Sequence, residues 1–251
     1  MIERTELSGI VTLRMAHGKA NALDLELMQA LSVNLLELGS AEDVHAIILT
    51  GSGSIFSAGV DLFRIVDSDV DYTKRFLTAL NQATLDLFTL PKPVVAAVNG
   101  HAIAGGCVLT QACDYRLMVS GKGRIGAPEL LVGVPFPPII LEVLRFAIPM
   151  QHLAPLIYSG LTMLGEDAAQ RGLIDELTGA ETLEARSIEV AKMLSALPIA
   201  AFRLTKRQLR DTAVRRARRY AGEFDSDANE LWTSDATRSG IRDYLAKTIK
   251  R

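Results

Sequence analysis

The sequence predicts an α/β fold with parallel strand pairing, followed by a helical C-terminal region. Short apolar runs rich in β-branched residues recur through the first half, at 9–15, 46–51, 93–99, 115–120 and, more weakly, 123–127. Each run is bounded by Gly, Pro, Asn or Asp, as strands commonly are. Segments with helical periodicity lie between the runs, and this alternation favours a parallel sheet. Beyond residue 179 the sequence holds mainly helix formers and charged residues, which predicts helices without further strands.

Two helices are predicted in the first half of the chain. The first spans residues 24–38, with Asp24 as its N-cap and Gly39 as the C′ residue. Its apolar side chains fall on one helical face: Leu27, Met28, Leu31, Leu35 and Leu38. The second spans about residues 70–90 and ends before Pro91, because the residue preceding a proline disfavours helical backbone.

The last third of the chain is predicted to be helical. Helices are expected over residues 182–197 and, after a break at Pro198, over residues 199–222. We therefore divide the chain into an α/β core, residues 1–190, and a helical region, residues 191–251.

A basic run occupies residues 203–219, which contain eight basic residues and one acid, Asp211. Such a run indicates a solvated helix face, or a face that pairs with acids of a neighbouring subunit. The alternative is a site for RNA or phosphate. Phe202 and Tyr220 flank the run without interrupting it, and this lack of aromatic interleaving argues against nucleic acid.

The composition argues against several classes of function. The chain has 251 residues and a net charge of -2, so no strong field would draw it to nucleic acid or to an anionic membrane. No apolar run approaches the roughly 18 residues of a membrane span, and the N-terminal residues suggest no targeting segment. Two cysteines are too few to stabilise a chain of this length by disulfide bonds. The four histidines lack the spacing of metal ligands. We expect a cytoplasmic protein with reduced thiols and no metal.

Two glycine-containing segments, 49–62 and 93–107, are the candidates for a functional site. The second predicts a strand that runs into Asn99 and a helix that opens at residues 104–106. The first turn of a helix leaves N–H groups unpaired, and small residues let a ligand approach them. The spacing matches neither a phosphate loop nor a dinucleotide fingerprint, so one developing oxyanion suits the site better than a triphosphate. Tight packing of the helix on a sheet is the alternative reason for these glycines.

Together with several other stretches, these segments resemble the crotonase (enoyl-CoA hydratase/isomerase) family. The matching stretches are 18–23, 56–62, 91–100, 102–107, 113–116, 128–133, 159–160 and 168–175. They occur in the family's order and cover about residues 5–178, so the ordered set is specific although each stretch alone is weak. The resemblance implies ββα units in two stacked sheets and a helical C-terminal region that builds homotrimers, often paired as hexamers. It also implies an acyl-CoA thioester as substrate, with no separate cofactor.

The resemblance further implies the residues of the site. The backbone N–H groups of Val60 and Gly105 are expected to bind the thioester oxygen. The substrate-lining positions fall on Ala20, Ala22, Ala58, Asp61, Leu62 and Ile103. Family members often carry a basic residue shortly after the first of these N–H groups, where it reaches the CoA phosphates. Here Phe63 holds that position and Arg64 follows it.

Acid–base groups decide which reaction follows. Family hydratases carry two glutamates that hold a water between them; here one position is Val108 and the other is Glu129. Moving a double bond from position 3 to position 2 needs a single base, so the sequence favours an enoyl-CoA isomerase with Glu129 as that base. The alternatives are a hydratase, and a non-catalytic member that binds CoA or RNA. The apolar neighbours Leu130, Leu131 and Val132 predict that the pKa of Glu129 is raised. The alternative interpretation is that Glu129 is a surface carboxylate in a turn, without a catalytic role.

Four neighbouring residues carry secondary predictions. Glu142 is either an alternative base or, more simply, a solvated helix residue. Phe136, in a stretch with three prolines, is expected to narrow the acyl pocket or shield it from water. His101 is expected to line the pocket, and Cys107 to be an inert packing residue because no His partner motif accompanies it.

Overall fold

The computed structural model describes residues 1–248, which form an α/β fold with two sheets and a helical C-terminal region. The strands are β1 (Ile2–Leu7), β2 (Ile10–Met15), β3 (Ala46–Gly51), β4 (Ile55–Ser57), β5 (Val94–Val98), β6 (His101–Ile103), β7 (Tyr115–Val119), β8 (Arg124–Gly126), β9 (Thr162–Leu164) and β10 (Glu176–Thr178). The helices are α1 (Leu25–Ser40), α2 (Leu62–Asp67), α3 (Val70–Thr89), α4 (Gly105–Ala112), α5 (Glu129–Val132), α6 (Pro138–Ala147), α7 (Met150–Ser159), α8 (Gly165–Gln170), α9 (Leu183–Ser195), α10 (Ile199–Thr233) and α11 (Asp235–Thr248). The fold class expected from the sequence is confirmed.

The larger sheet has the strand order β1-β2-β3-β5-β7-β10, and only β1 is antiparallel to its neighbour. The smaller sheet has the order β4-β6-β8-β9, with β9 antiparallel to β8. Both faces of the larger sheet are covered. Ile47 and Leu49 of β3 belong to the main core with α1 and α3, whereas Ala46 and Ile48 pack with residues of α9. Cover on both faces explains why every residue of β3 and β5 is buried and why both strands are mainly apolar.

The strands that the sequence analysis missed are short or charged. β1 forms a hairpin with β2 through Ser8 and Gly9, whose φ angles of 52° and 75° suit a two-residue turn. Its exposed charged residues are typical of a protected edge strand rather than of an apolar run. β4, β6, β9 and β10 have three residues each, too few to show a period.

Helix α1 begins as predicted but ends later. The Asp24 carboxylate accepts the N–H of Leu27 at 2.8 Å, which confirms the N-cap. The prediction that Gly39 is the C′ residue is wrong, because the helix continues to Ser40 and is capped by Ala41. Gly39 serves packing instead: a Cβ there would lie 3.1 Å from a methyl carbon of Leu90.

Helix α10 is longer than predicted, with 35 residues that end at Thr233 rather than near residue 222. Gly222 lies inside this helix without breaking it, and nothing lies within 4 Å of a Cβ added there. An interior glycine costs about 1 kcal/mol relative to alanine, which contacts elsewhere along a long helix readily offset. Trp232 supplies one such contact, since its Nε1 donates to the carbonyl of Pro135 at 2.9 Å.

Three charged side chains join α10 to the α/β core away from solvent. Lys206 and Arg210 are only 6% and 5% exposed. Lys206 Nζ lies 2.6 Å from Asp114 Oδ2, and Arg210 Nη2 lies 2.7 Å from Asp114 Oδ1. Asp114 Oδ2 also accepts the N–H of Val94 at 2.8 Å. The prediction that the basic run is solvated is therefore wrong at these two positions, which anchor the helix to the turn between α4 and β7.

The boundary placed at residue 190 falls within α9, which packs on the larger sheet with the core. The last three residues of the predicted helical region, 249–251, lie outside the described residues. Within residues 1–248, no helix is both long enough and apolar enough to cross a membrane.

Candidate active site

The N–H of Val60 is left free by the way its loop is held. Leu23 N–H donates to the carbonyl of Gly59 at 2.8 Å, and Asp61 N–H donates to the carbonyl of Leu23 at 3.0 Å. In this parallel bridge the residue between Gly59 and Asp61 directs its own N–H to the opposite side. Among residues 1–248, that N–H donates no hydrogen bond to a protein acceptor. It is therefore available to a ligand.

Gly105 supplies a second free N–H, because it is the first residue of α4 and has no preceding turn to pair with. The chain enters the helix through Ala104, whose φ of 51° and ψ of -121° form a conformation that is strained for a residue with a side chain. Gly59 packs directly against this point. A Cβ on Gly59 would lie 2.7 Å from Ala104 Cβ and 3.3 Å from the Gly105 nitrogen. The peptides that carry the two free N–H groups are thus neighbours.

A cavity of about 330 Å³ opens beside these peptides. Eight of the nine residues predicted for the site line it: Ala20, Ala22, Ala58, Val60, Asp61, Leu62, Ile103 and Glu129. The ninth, Gly105, follows Ala104, which also lines the cavity. Segments far apart in sequence are therefore brought together at one place.

The C-terminal helices provide a wall of this cavity that was not predicted from the sequence. Trp232 of α10 and Tyr244, Leu245 and Thr248 of α11 line it. Trp232 and Leu245 are 2% and 7% exposed, so they are packed into the core. The sequence offered one signal of this wall: the only tryptophan of the chain lies in a segment rich in charged residues. A tryptophan in such a helix needs an apolar contact elsewhere in the fold.

Glu129 brings an isolated carboxyl group to the cavity. It is the first residue of α5, and its Oε2 atom is buried without a hydrogen-bond partner among the described residues. Burial raises the pKa of this carboxyl to about 8. The direction agrees with the sequence analysis, but the expected cause is partly wrong: Leu130 and Leu131 are 42% and 59% exposed, and only Val132 is buried and lines the cavity.

The other carboxylates near the site are already engaged. Asp61 caps α2, where its Oδ1 accepts the N–H of Arg64 at 3.0 Å. The Arg64 guanidinium in turn lies 3.0 Å from Asp24 Oδ2 and 2.6 Å from Glu26 Oε1. Val108, at the position of a second glutamate in hydratases, is buried in α4 and packs into the core. Glu129 is thus the one cavity-lining carboxylate within residues 1–248 that has a buried oxygen without a hydrogen-bond partner.

The structure corrects three secondary predictions. Glu142 is not solvated: it is fully buried, with Arg216 Nε at 2.7 Å and Arg145 in a second ion pair. It does not line the cavity, so it is not a candidate base. His101 lies in β6 beside Arg124 and does not line the cavity, and neither does Phe136, which packs against the core.

Cys107 is buried inside α4, as expected for a packing residue. Burial raises the pKa of its thiol far above the usual range, so the nucleophilic thiolate is not formed near neutrality. Among residues 1–248, no group of three or more His, Cys, Asp or Glu side chains is arranged to hold a metal ion.

Comparison with known proteins agrees with this geometry. A sequence model of the enoyl-CoA hydratase/isomerase family matches residues 5–250. The chain is 30% identical over 180 residues to enoyl-CoA hydratase domain-containing protein 3, mitochondrial, of Mus musculus; the match covers 71% of this chain and 59% of the mouse protein's length. It is 24% identical over 249 residues to enoyl-CoA delta isomerase 1, mitochondrial, of Mus musculus, covering 98% of this chain and 86% of that protein.

A solved structure shows the same fold. The crystal structure of human mitochondrial delta3-delta2-enoyl-CoA isomerase has a TM-score of 0.91 with this chain at 24% sequence identity. The superposed region covers 98% of this chain and 97% of the human chain. With the family model matching almost the whole sequence, the chain belongs to the enoyl-CoA hydratase/isomerase family of enzymes.

Proposed function

We propose that this protein is an enoyl-CoA isomerase that moves a double bond from position 3 to position 2 of an acyl-CoA thioester. The observation that carries the proposal is the buried Glu129 Oε2, which has no hydrogen-bond partner among the described residues and lies in a cavity that Val60 and Ala104 also line. Relatives named as isomerases support it, although relatives named as hydratases occur as well.

The reaction needs only groups that the cavity holds. The Glu129 carboxylate removes a proton from C2, and the electrons of that C–H bond form an enolate whose negative charge lies on the thioester oxygen. The N–H groups of Val60 and Gly105 donate to this oxygen, and a donor of this kind contributes about 2.7–4 kcal/mol to lowering the barrier. The protonated carboxyl then returns the proton to C4, and the double bond ends between C2 and C3.

A hydratase is the second candidate, because the mouse relative with the higher identity is named for a hydratase domain. Hydration requires a water that is both oriented and deprotonated. At the position where a second glutamate would hold that water, this chain has the buried Val108. One carboxyl serves a proton shuttle between two carbons better than it serves the activation of water.

The test supplies a 3-enoyl-CoA and a 2-enoyl-CoA in separate reactions, followed by mass spectrometry in heavy water. Isomerisation predicts conversion of the first substrate, with deuterium at C2 or C4. Hydration of the second substrate, seen as added mass and loss of the ultraviolet absorbance of the conjugated thioester, supports the hydratase instead. If neither substrate reacts or exchanges, both the isomerase and the hydratase are contradicted.

The pH dependence of isomerisation should follow the Glu129 carboxyl. Because only the carboxylate removes a proton, kcat/KM should rise about tenfold for each pH unit below about 8 and level off above it.

The same carboxyl should also make the free energy of unfolding depend on pH, because the folded protein binds its proton more tightly than the unfolded chain does. Stability from this group is therefore fully present below about pH 4.5 and is lost as pH rises through about 8, by about 1.4 kcal/mol for each pH unit between. Rate profiles and unfolding at several pH values measure both effects; a rate that is flat across this window would contradict the assignment.

The wall formed by α10 and α11 should bind the acyl chain, since Trp232, Tyr244 and Leu245 present large, mainly apolar side chains to the cavity. For Trp232→Phe we expect the free energy of unfolding to fall by about 1 kcal/mol, because the carbonyl of Pro135 loses its donor while the aromatic ring is kept. KM should rise only for substrates whose acyl chain reaches this wall. Chemical denaturation and a series of acyl lengths measure the two effects. Equal denaturation midpoints for the two proteins would show that the hydrogen bond is not formed in solution.

We also propose assembly into a homotrimer or hexamer through the helical C-terminal region. The exposed leucines of α10 support this, since Leu204, Leu209 and Leu231 are 47%, 64% and 51% exposed. Large apolar side chains repeated along one surface helix are typical of an interface.

A further inference from the structure

Ser57, the last residue of β4, is fully buried and lies directly behind one of the two free N–H groups. Its hydroxyl accepts the N–H of Gly59 at 3.1 Å and donates to the carbonyl of Asn21 at 2.8 Å. Gly59 immediately precedes Val60, so the hydroxyl fixes the peptide just before the one that carries the free N–H. Ser57 itself does not line the cavity.

Ser57 also contacts the segment that carries the other free N–H. A Cβ on Gly106 would lie 2.9 Å from Ser57 Cβ and 2.6 Å from the Ser57 carbonyl oxygen. Gly106 follows Gly105 in the first turn of α4. One small side chain therefore touches both peptide segments that carry the free N–H groups.

The acceptor of the Ser57 hydroxyl is itself held in place. Asn21 is 1% exposed and adopts the left-handed conformation, with φ of 47°. Its side-chain amide donates to the carbonyls of Ile55 and Phe56 at 2.9 and 3.2 Å. The amide oxygen accepts the N–H of His17 at 2.9 Å. The Asn21 carbonyl is therefore held in one position as the acceptor of the Ser57 hydroxyl.

We propose that Ser57 is a positioning residue, whose hydroxyl sets the spacing of the Val60 and Gly105 N–H groups so that both donate to one thioester oxygen. The inference rests on the proposed enolate chemistry. Donors stabilise a developing charge best when they need no reorganisation as it forms. A hydroxyl that both accepts from Gly59 and donates to a fixed carbonyl holds its peptide more firmly than packing alone.

The test is Ser57→Ala, read by kinetics and by ligand affinity. We expect kcat to fall about 10- to 100-fold, less than for complete removal of a donor, with KM changed by no more than about twofold because the cavity-lining side chains remain. The affinity for acetoacetyl-CoA, which presents an enolate oxygen, should fall by a similar factor. The affinity for the saturated butyryl-CoA should stay the same. The ratio of the two affinities therefore reports the alignment of the donors.

Two variants separate positioning from stability. Ser187→Ala removes another buried hydroxyl, which donates to the carbonyl of Glu184 in α9 at 2.8 Å, and it should lower stability without changing the affinity ratio. Ser57→Cys keeps the size of the side chain but replaces the hydroxyl by a weak hydrogen-bonding group. It should lower the ratio as Ser57→Ala does, and it serves as the test if the alanine variant does not fold.

The outcomes distinguish this inference from the proposed function. An affinity ratio that is the same in the wild-type protein and both Ser57 variants overturns the positioning role, whatever the activity. A wild-type protein that binds the enolate analogue more tightly but neither isomerises nor exchanges deuterium overturns the isomerase, while the ratio still tests Ser57. A wild-type protein with no preference for the enolate analogue overturns both.

Discussion

Glu129→Gln should reduce kcat for isomerisation of a 3-enoyl-CoA by about 10²–10⁴-fold, the usual contribution of a general base. Glutamine has the size of glutamate but cannot take up the proton from C2. KM should change little, because the remaining lining of the cavity is kept. The appearance of the conjugated thioester, followed by ultraviolet absorbance, measures the rate.

The control for this variant is Glu166→Gln, which removes an exposed carboxylate of α8 and should leave the rate unchanged. Stability gives an independent readout. The glutamine variant should lose the contribution of Glu129 to the pH dependence of unfolding between about pH 4.5 and about pH 8. An unchanged kcat would remove Glu129 from the mechanism.

Gly59→Ala should lower kcat by about 10²–10³-fold, as expected when one N–H donor is lost. The glycine has φ of 86°, which is unfavourable for alanine, and the added Cβ would lie 2.7 Å from Ala104 Cβ and 2.8 Å from the Ile103 carbonyl oxygen. Neither neighbour is the flexible end of a long side chain, so the loop that carries Val60 has to move. The strained backbone should also cost about 1–3 kcal/mol of stability.

The matched control is Gly53→Ala, in the same glycine-containing segment. Gly53 also has a positive φ, 61°, but nothing lies within 4 Å of a Cβ there. Its replacement should cost stability through backbone strain alone and leave kcat unchanged. Steady-state kinetics and thermal unfolding of the two variants measure the difference, and equal kcat values for both would mean that the position of the Val60 N–H does not limit the reaction.

The RNA-binding alternative for the basic run loses part of its support. Lys206 and Arg210 are buried against Asp114 and are not available to a phosphate backbone. Arg203 donates to the carbonyl of Pro91 at 3.0 Å, and Arg215 pairs with Asp211 four residues earlier. Much of the charge of this run serves contacts within the chain.

The sequence predicted the parts of the fold whose patterns are long or strongly apolar. β3 and β5 are covered on both faces, and α1 has a capped, one-sided apolar face, so each was visible in a single segment. The three-residue strands of the smaller sheet were mostly missed, because pairing with distant neighbours rather than local preference defines them. The burial of Lys206 and Arg210 was not predicted either, because it depends on their contact with Asp114, which is distant in sequence.

The lining of the candidate site was predictable where one short stretch of sequence carries a recognisable motif. The segments around Val60, Gly105 and Glu129 carry recognisable residues, and the structure places them around one cavity. The wall made by Trp232 and Tyr244 was missed, because residues about a hundred positions away give no local signal of facing Glu129.

The wall of the cavity is formed by residues near the C-terminal end of the described chain, and this affects when the cavity is completed during synthesis. The two sheets are complete by Thr178, but the cavity gains its final wall only from residues 232–248. During synthesis, the groove beside Glu129 must therefore stay open to water and chaperones until the last helices dock. Since domains generally fold as the chain emerges, we expect a nascent chain to bind substrate only after residues 232–248 have been released and have docked.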